Sequence, residues 1–140
     1  MKKIEIIADN FSFLLQHGFT FTVENKRIGY ECWYLNDDGV EIHLSESEDY
    51  RDEDLVNFVV KRKCTTLISY HGAPVINAAL NGANELFLSV DQIYKEAQNH
   101  RSGFTKVHYS MIIKLYSEFV KSNLNQILLN ELSQIPPYGA

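Results

Sequence analysis

The sequence predicts an α+β protein in which an antiparallel sheet of about four strands carries the N-terminal helix and a long C-terminal helix on one face. Three observations lead to this prediction. Apolar residues recur with helical spacing at both ends of the chain, they alternate every second residue between those ends, and turn-forming residues separate the alternating runs. A chain of 140 residues has the length of one domain. We assign that domain to residues 1–135 and treat residues 136–140 as a tail.

The first element is a helix over residues 4–17. Its apolar side chains occupy the i, i+3, i+4 and i+7 positions of one helical face: Ile4, Ile7, Ala8, Phe11, Leu14 and Leu15. Gly18 can adopt the left-handed conformation that ends many helices. The helix is therefore expected to end at His17.

Three antiparallel strands are predicted next, because apolar and polar residues alternate over residues 19–24, 28–35 and 40–44. The sequence Asn36-Asp37-Asp38-Gly39 indicates a hairpin turn, since these residue types tolerate positive φ. It lacks the twelve-residue spacing and terminal glutamate of a calcium loop. Residues 45–54 are polar and strongly acidic, which predicts a loop.

A fourth strand is predicted around residues 56–60, where Val56, Phe58 and Val60 share one face. Residues 65–70 either extend or return the sheet. Pro74 suits the first turn of a short helix that ends near Leu80.

The remaining elements are a short strand over residues 85–88 and two helices. Ser89 and Gln92 have the spacing of a capping box, which predicts a helix from residue 89 to about residue 98. The last helix spans about residues 105–132. One apolar stripe with a charged back indicates that it lies across the sheet.

The charge is −5 overall and is unevenly distributed. Residues 1–54 contain thirteen acidic and five basic residues, whereas residues 55–140 contain five acidic and eight basic residues. A net-acidic domain repels a phosphate backbone, so nucleic-acid binding is disfavoured. Lys61-Arg62-Lys63 is the only basic run.

No stretch approaches the roughly twenty apolar residues of a membrane span, and acidic residues interrupt the N-terminal apolar stretch. The sequence thus predicts a cytoplasmic protein without membrane association.

No motif in the sequence carries catalytic, cofactor or metal chemistry. The five histidines lack the spacing of a zinc site: His17, His43, His71, His100 and His108. Glycine-rich phosphate loops and the nucleophile elbow of hydrolases are absent from the sequence. Cys32 and Cys64 are interpreted as buried reduced thiols, although one disulfide is arithmetically possible. We therefore predict a protein that is not an enzyme.

The most unusual feature is the acidic segment between the third and fourth strands. Its predicted partner-binding residues are Glu46, Glu48, Asp49, Tyr50, Asp52, Glu53 and Asp54. Two interpretations are open: a solvated loop that aids solubility, or an electrostatic docking surface for a basic partner with Tyr50 as its anchor.

Trp33 alternates out of register with Tyr30 and Cys32, so it lies on the other sheet face, either under a helix or in an exposed binding patch.

An amphipathic helix runs into Phe11-Ser12-Phe13-Leu14-Leu15-Gln16-His17-Gly18-Phe19, and an aromatic meander follows. Over about the first sixty residues this pattern resembles small bacterial immunity proteins of polymorphic toxin systems. The resemblance implies direct, non-catalytic neutralisation of a basic toxin, commonly a nuclease, by an acidic surface. It assigns no role to individual residues.

Three functions remain open from the sequence. The first is a non-catalytic protein-binding module of the immunity type with a basic partner. The second is a small-ligand or enzymatic domain with a pocket between the sheet and the long helix. The third is a homo-oligomeric protein, such as a homodimer formed through a sheet face or edge.

Overall fold

The computed structural model describes residues 2–26, 29–48 and 54–128, with the backbone alone at residues 47, 48 and 54. The helices are α1 (Lys3–Asn10), a 3₁₀ helix (Ser12–His17), α2 (Ala83–Asn99), α3 (Lys106–Ser122) and α4 (Leu124–Ile127). The strands are β1 (Thr20–Asn25), β2 (Tyr30–Leu35), β3 (Val40–Glu48), β4 (Asp54–Arg62), β5 (Thr65–Tyr70) and β6 (Pro74–Ile76).

The strands form one antiparallel sheet whose spatial order, β1-β2-β3-β4-β5-β6, equals their order along the chain. The predicted α+β class is confirmed, but the described residues form a sheet of six strands rather than about four. Strand β5 returns along β4, with Phe58 opposite Tyr70. Strand β6 replaces the short helix predicted after Pro74, because a proline is tolerated at the first residue of an edge strand.

The described aromatic contacts that join the helical segments to the sheet fall on one face, which we call the inner face. Aromatic rings stack across this interface: Phe11 on Tyr34, both Phe87 and Tyr94 on Tyr70, and Tyr116 on Phe58, the last with ring centroids 4.3 Å apart. The first and last long helices thus lie on the face that the sequence predicts, and α2 joins them. The other face, the outer face, carries Trp33, as the alternation predicts.

Helix α2 begins at Ala83, so the strand predicted over residues 85–88 and the capping box predicted at Ser89 are both wrong. The buried side chains of α2 follow the helical spacing: Ala83, Leu86, Phe87, Val90, Ile93, Tyr94 and Ala97. A window of four residues was too short to distinguish this period from the alternation of a strand.

The predicted last helix divides at Asn123 into α3 and α4. The Asn123 amide donates to the carbonyl oxygens of Phe119 and Asn81, and its Oδ1 accepts from the Asn81 backbone N–H. An asparagine that bonds to backbone groups in this way competes with helical hydrogen bonds. The final predicted residues, 129–132, lie outside the described residues.

The predicted first helix is also divided, since α1 ends at Asn10 and a 3₁₀ helix follows. Its predicted end is confirmed: Gly18 adopts φ of 81° in the left-handed region. The hairpin turn before β3 is confirmed as well. Asn36 Oδ1 accepts from the backbone N–H groups of Asp38 and Val40, and Gly39 takes positive φ.

The basic run at residues 61–63 does not form a continuous surface patch. Arg62 points inward and is fully buried, where its Nη1 donates to the Ile127 carbonyl at 2.6 Å. Lys61 lies on the outer face near Glu41. Lys63 occupies the exposed turn between β4 and β5.

The two cysteines are unpaired and lie in different environments. Cys32 is buried on the inner face, as the sequence predicts, and burial raises the pKa of its thiol to about 12. Cys64 is exposed in the β4–β5 turn, so its predicted burial is wrong. Lys63 and Cys64 are the two central residues of the turn between β4 and β5, and both adopt positive φ. A two-residue hairpin turn of this kind projects from the sheet.

We expect a thiol reagent to label the two cysteines at very different rates in the folded protein. At mildly alkaline pH, Cys64 reacts quickly, whereas Cys32 stays protonated and inaccessible until the protein unfolds. Labelling followed by mass spectrometry measures both rates, and Cys64→Ser removes the fast phase. Equal rates at the two thiols in the native protein would contradict the buried position of Cys32.

Candidate interaction surface

The two longest strands, β3 and β4, extend beyond their neighbours at one end of the sheet. They pair with each other over their full length, from Val40 and Arg62 to Glu48 and Asp54. The pairing of β2 with β3 stops at Ser45, and the pairing of β5 with β4 stops at Phe58. Within the described part of the chain, residues 46–48 and 54–57 therefore have a paired strand on one side only, and we call this extension the hairpin overhang.

Two tyrosines replace the missing strand partner on the β4 side of the overhang. The Val56 backbone N–H donates to the Tyr94 hydroxyl at 2.8 Å, and the Tyr116 hydroxyl donates to the Val56 carbonyl at 2.9 Å. All three residues are buried. Because a buried, unpaired backbone group is costly, these two bonds hold the overhang against α2 and α3.

An ion pair holds the β3 side of the overhang, and two further tyrosines bind the backbone of the helix that supplies its cation. Glu46 pairs with Lys3 of α1. The Tyr30 and Tyr109 hydroxyls bond to each other, and the Tyr109 hydroxyl donates to the Lys3 carbonyl at 3.3 Å. Burial raises the pKa of both tyrosines, so they remain neutral hydrogen-bonding groups. The overhang is thus connected to all three long helical elements: α1, α2 and α3.

The predicted acidic loop is shorter than expected, because residues 45–48 and residue 54 belong to strands. Glu46 lies against Lys3, and its side chain is only 9% exposed, so it contributes to the base of the overhang. Glu48 and Asp54 are opposite each other in the last register pair. The other predicted partner-binding residues lie outside the described residues: Asp49, Tyr50, Asp52 and Glu53.

The outer face next to the overhang carries a row of residues from neighbouring strands. Thr22, Trp33, His43, Val59 and Ser69 are successive partners across the sheet. The Trp33 and His43 rings are stacked, with centroids 5.2 Å apart and an interplanar angle of 13°. Both are half-buried. A flat aromatic pair of this kind offers apolar area with little conformational freedom to lose.

Charged groups surround the aromatic pair. Glu31 accepts a hydrogen bond from Lys26 at 2.9 Å, and its other oxygen lies 3.8 Å from His43 Nε2. That nitrogen is buried and accepts or donates no hydrogen bond among the residues that the structure describes. Burial lowers the pKa of His43, although the carboxylates of Glu31 and Glu41 oppose the shift. His43 is therefore a neutral imidazole at pH 7.

The described residues contain no group of three or more histidine, cysteine, aspartate or glutamate side chains placed to hold a metal ion. Among the helices that the structure describes, none combines the length and apolar character needed to cross a membrane.

Comparison with known proteins found no matching family model, curated protein or solved structure. The resemblance to immunity proteins therefore stays a prediction from the sequence.

The interface between the sheet and α3 is filled with side chains, which bears on the predicted alternative of a ligand pocket there. Tyr109, Ile112, Ile113 and Tyr116 of α3 are fully buried at this interface. A cleft of about 260 Å³ lies elsewhere, between α2 and the end of the sheet, and another of about 490 Å³ lies between α2 and α3. The α3–sheet interface thus gives the alternative no support.

The overhang and the Trp33–His43 pair are features that the sequence reasoning missed. The unequal pairing of strands depends on register, which single-strand alternation does not reveal. The stacking of Trp33 on His43 could have been found, since both residues alternate onto the outer face of adjacent predicted strands.

Tyr116→Phe and Tyr94→Phe should each lower the free energy of unfolding by about 1–3 kcal/mol, because each leaves one buried backbone group of Val56 without a partner. Denaturant unfolding measures the change. Tyr70→Phe is the control, since its partner Asp91 is only half-buried and can be hydrated instead. A loss at Tyr70 as large as that at Tyr116 would contradict the importance of the Val56 bonds.

The lowered pKa of His43 predicts a specific pH dependence of stability. The unfolded chain takes up a proton near pH 6.5, whereas folded His43 does so only at lower pH. The stabilisation by neutral His43 is therefore complete above about pH 6.5 and is lost as pH falls towards the lower, folded-state pKa.

Denaturant unfolding between about pH 7.5 and pH 5.5 should show a larger loss of stability in the wild type than in His43→Gln. Trp33 is the single tryptophan of the chain, so its fluorescence reports directly on the charge of the stacked imidazole. Identical pH profiles for the two proteins would exclude this role. The groups that set the His43 titration are Glu31, Glu41, His71 and Lys61.

Proposed function

We propose that this protein is a non-catalytic binding module that docks a basic protein through its hairpin overhang and the adjoining outer face. The observation that carries the proposal is the overhang itself, whose two strands lead in sequence into the most acidic stretch of the chain and whose base is bound to α1, α2 and α3. The resemblance of the first sixty residues to immunity proteins agrees with this function.

Electrostatics favour a basic partner. Residues 48–54 contain five acidic residues and one basic residue, Arg51. Like charges this close repel one another, and a cationic surface relieves that repulsion on binding. Such a field also steers the partner during diffusion and raises the association rate.

The Trp33–His43 pair supplies an apolar anchor within reach of the same partner. His43 and Ser47, the last outer-face position of β3, are four residues apart, which corresponds to roughly 14 Å at about 3.4 Å per strand residue. A protein interface of standard size buries about 800 Å² on each partner, enough to cover both features. Acidic steering and an aromatic anchor would then act on one partner.

The basic partner is to be isolated with the tagged full-length chain from lysate and secreted fractions of the source organism, and its association rate is then measured by stopped flow using Trp33 fluorescence. Glu48→Lys/Asp49→Lys/Asp52→Lys should lower the association rate about tenfold or more at low salt, and should flatten its salt dependence.

The matched control is Glu85→Lys/Glu96→Lys/Glu118→Lys, which changes net charge equally at exposed positions of α2 and α3. This variant should retain most of the wild-type rate. An unchanged rate in the first variant, or equal losses in both, would rule out docking at the overhang.

A further inference from the structure

The two edge strands of the sheet differ in how they are protected against pairing. Strand β6 is three residues long and begins with Pro74, two features that discourage addition of another strand. Strand β1 has six residues, Thr20–Asn25, and contains neither a proline nor a basic residue. Its pairing with β2 is continuous and shows no bulge. Among the described residues, strand β1 therefore carries only one of the usual devices that block edge pairing, the charge of Glu24.

The direction of the β1 backbone groups follows from the hairpin that joins β1 to β2. The Lys26 N–H donates to the Gly29 carbonyl at 3.2 Å, so the backbone groups of Lys26 face β2. Because direction alternates along a strand, Thr22 and Thr20 also face β2. The N–H and C=O groups of Phe21 and Val23 therefore face away from the sheet, where no described strand pairs with them.

The inner-face side chains of β1 are also incompletely covered. Phe21 and Val23 are half-buried, whereas their partners on β2, Tyr34 and Cys32, are 1% and 0% exposed. The Phe21 ring already stacks on Tyr34, with centroids 4.6 Å apart. A strand added at this edge would extend the inner face and cover both apolar side chains.

We propose that β1 pairs antiparallel with β1 of a second copy of this chain, about a twofold axis next to Thr22. In this register Thr22 faces the second copy's Thr22, Phe21 faces Val23, and Thr20 faces Glu24. The two sheets join into one continuous twelve-stranded sheet.

Self-complementarity favours a second copy over an unrelated strand. The register places an aromatic residue opposite a β-branched residue on the inner face, and threonine opposite threonine on the outer face, both of which are favourable cross-strand pairs. No like charges are opposite each other. Moving the axis to Val23 would place Phe21 opposite the polar Asn25, and moving it to Phe21 would place Glu24 opposite Gly18, which lies outside the strand.

Sedimentation equilibrium of the full-length chain tests the proposal. The wild type should form a concentration-dependent dimer. Thr22→Lys places two ammonium groups opposite each other at an exposed position and should raise the dimer dissociation constant about tenfold or more. Thr20→Lys adds the same charge opposite Glu24 and should leave the dimer intact or strengthen it. Thr65→Lys adds it on β5 and should have no effect.

Hydrogen exchange gives a second readout that does not depend on the variants. Protection of the Phe21 and Val23 amides should rise with protein concentration, whereas protection of the Thr22 amide, which faces β2, should not change.

A monomeric wild type at all concentrations would overturn the proposal. So would a Thr22→Lys protein that dimerises like the wild type, or equal weakening by all three lysines. A folded circular dichroism spectrum shows that each variant is intact.

Discussion

The backbone of Val56 is the point on which the arrangement of helices and sheet depends. Strand β4 continues past the end of β5, so a buried N–H and a buried carbonyl face a side where no described strand pairs with them. The hydroxyls of Tyr94 and Tyr116 bind these two groups and thereby couple α2 and α3 to the same peptide segment. Since an unpaired buried backbone group costs about 1–3 kcal/mol, neither helix can shift along the sheet without a substantial penalty.

This constraint bears on the charge at the described ends of β3 and β4, where Glu48 and Asp54 form the last register pair. Repulsion among carboxylates favours separation of the two strands, and the Val56 bonds and the Glu46–Lys3 pair oppose that separation at the base. Strands that are already held at their base lose less conformational entropy when a partner docks on them. The base of the overhang therefore matters to the proposed function as much as its charge, although its buried tyrosines would not touch a partner.

The secondary structure was predicted best where the apolar residues keep one spacing over a long segment. Strands β2 and β3, the turn between them and the end of the helical segment at Gly18 follow from alternation and from residues that tolerate positive φ. Prediction failed where tertiary contacts decide between local alternatives. Residues 85–88 are too few to distinguish a helix from a strand. Asn123 divides a continuous apolar stripe through its bonds to Asn81. Residues 45–48 are polar, yet they remain in a strand because β4 pairs with them. The acidic segment itself was identified from composition, but its support from α1, α2 and α3 was not, since residues far apart in sequence provide it.

The proposed dimer and the proposed docking surface are geometrically compatible. Strand β3 is two strands from the β1 edge, so five strand spacings of about 4.8 Å, roughly 24 Å, would separate the two β3 strands of a dimer. Antiparallel pairing of β1 reverses one sheet relative to the other, which directs the two hairpin overhangs towards opposite ends of the joined sheet. A twofold axis perpendicular to that sheet keeps both outer faces on the same side. Neither docking surface is covered, so each copy could bind its own basic partner, and loss of the dimer through the β1 edge would leave docking at the overhang intact.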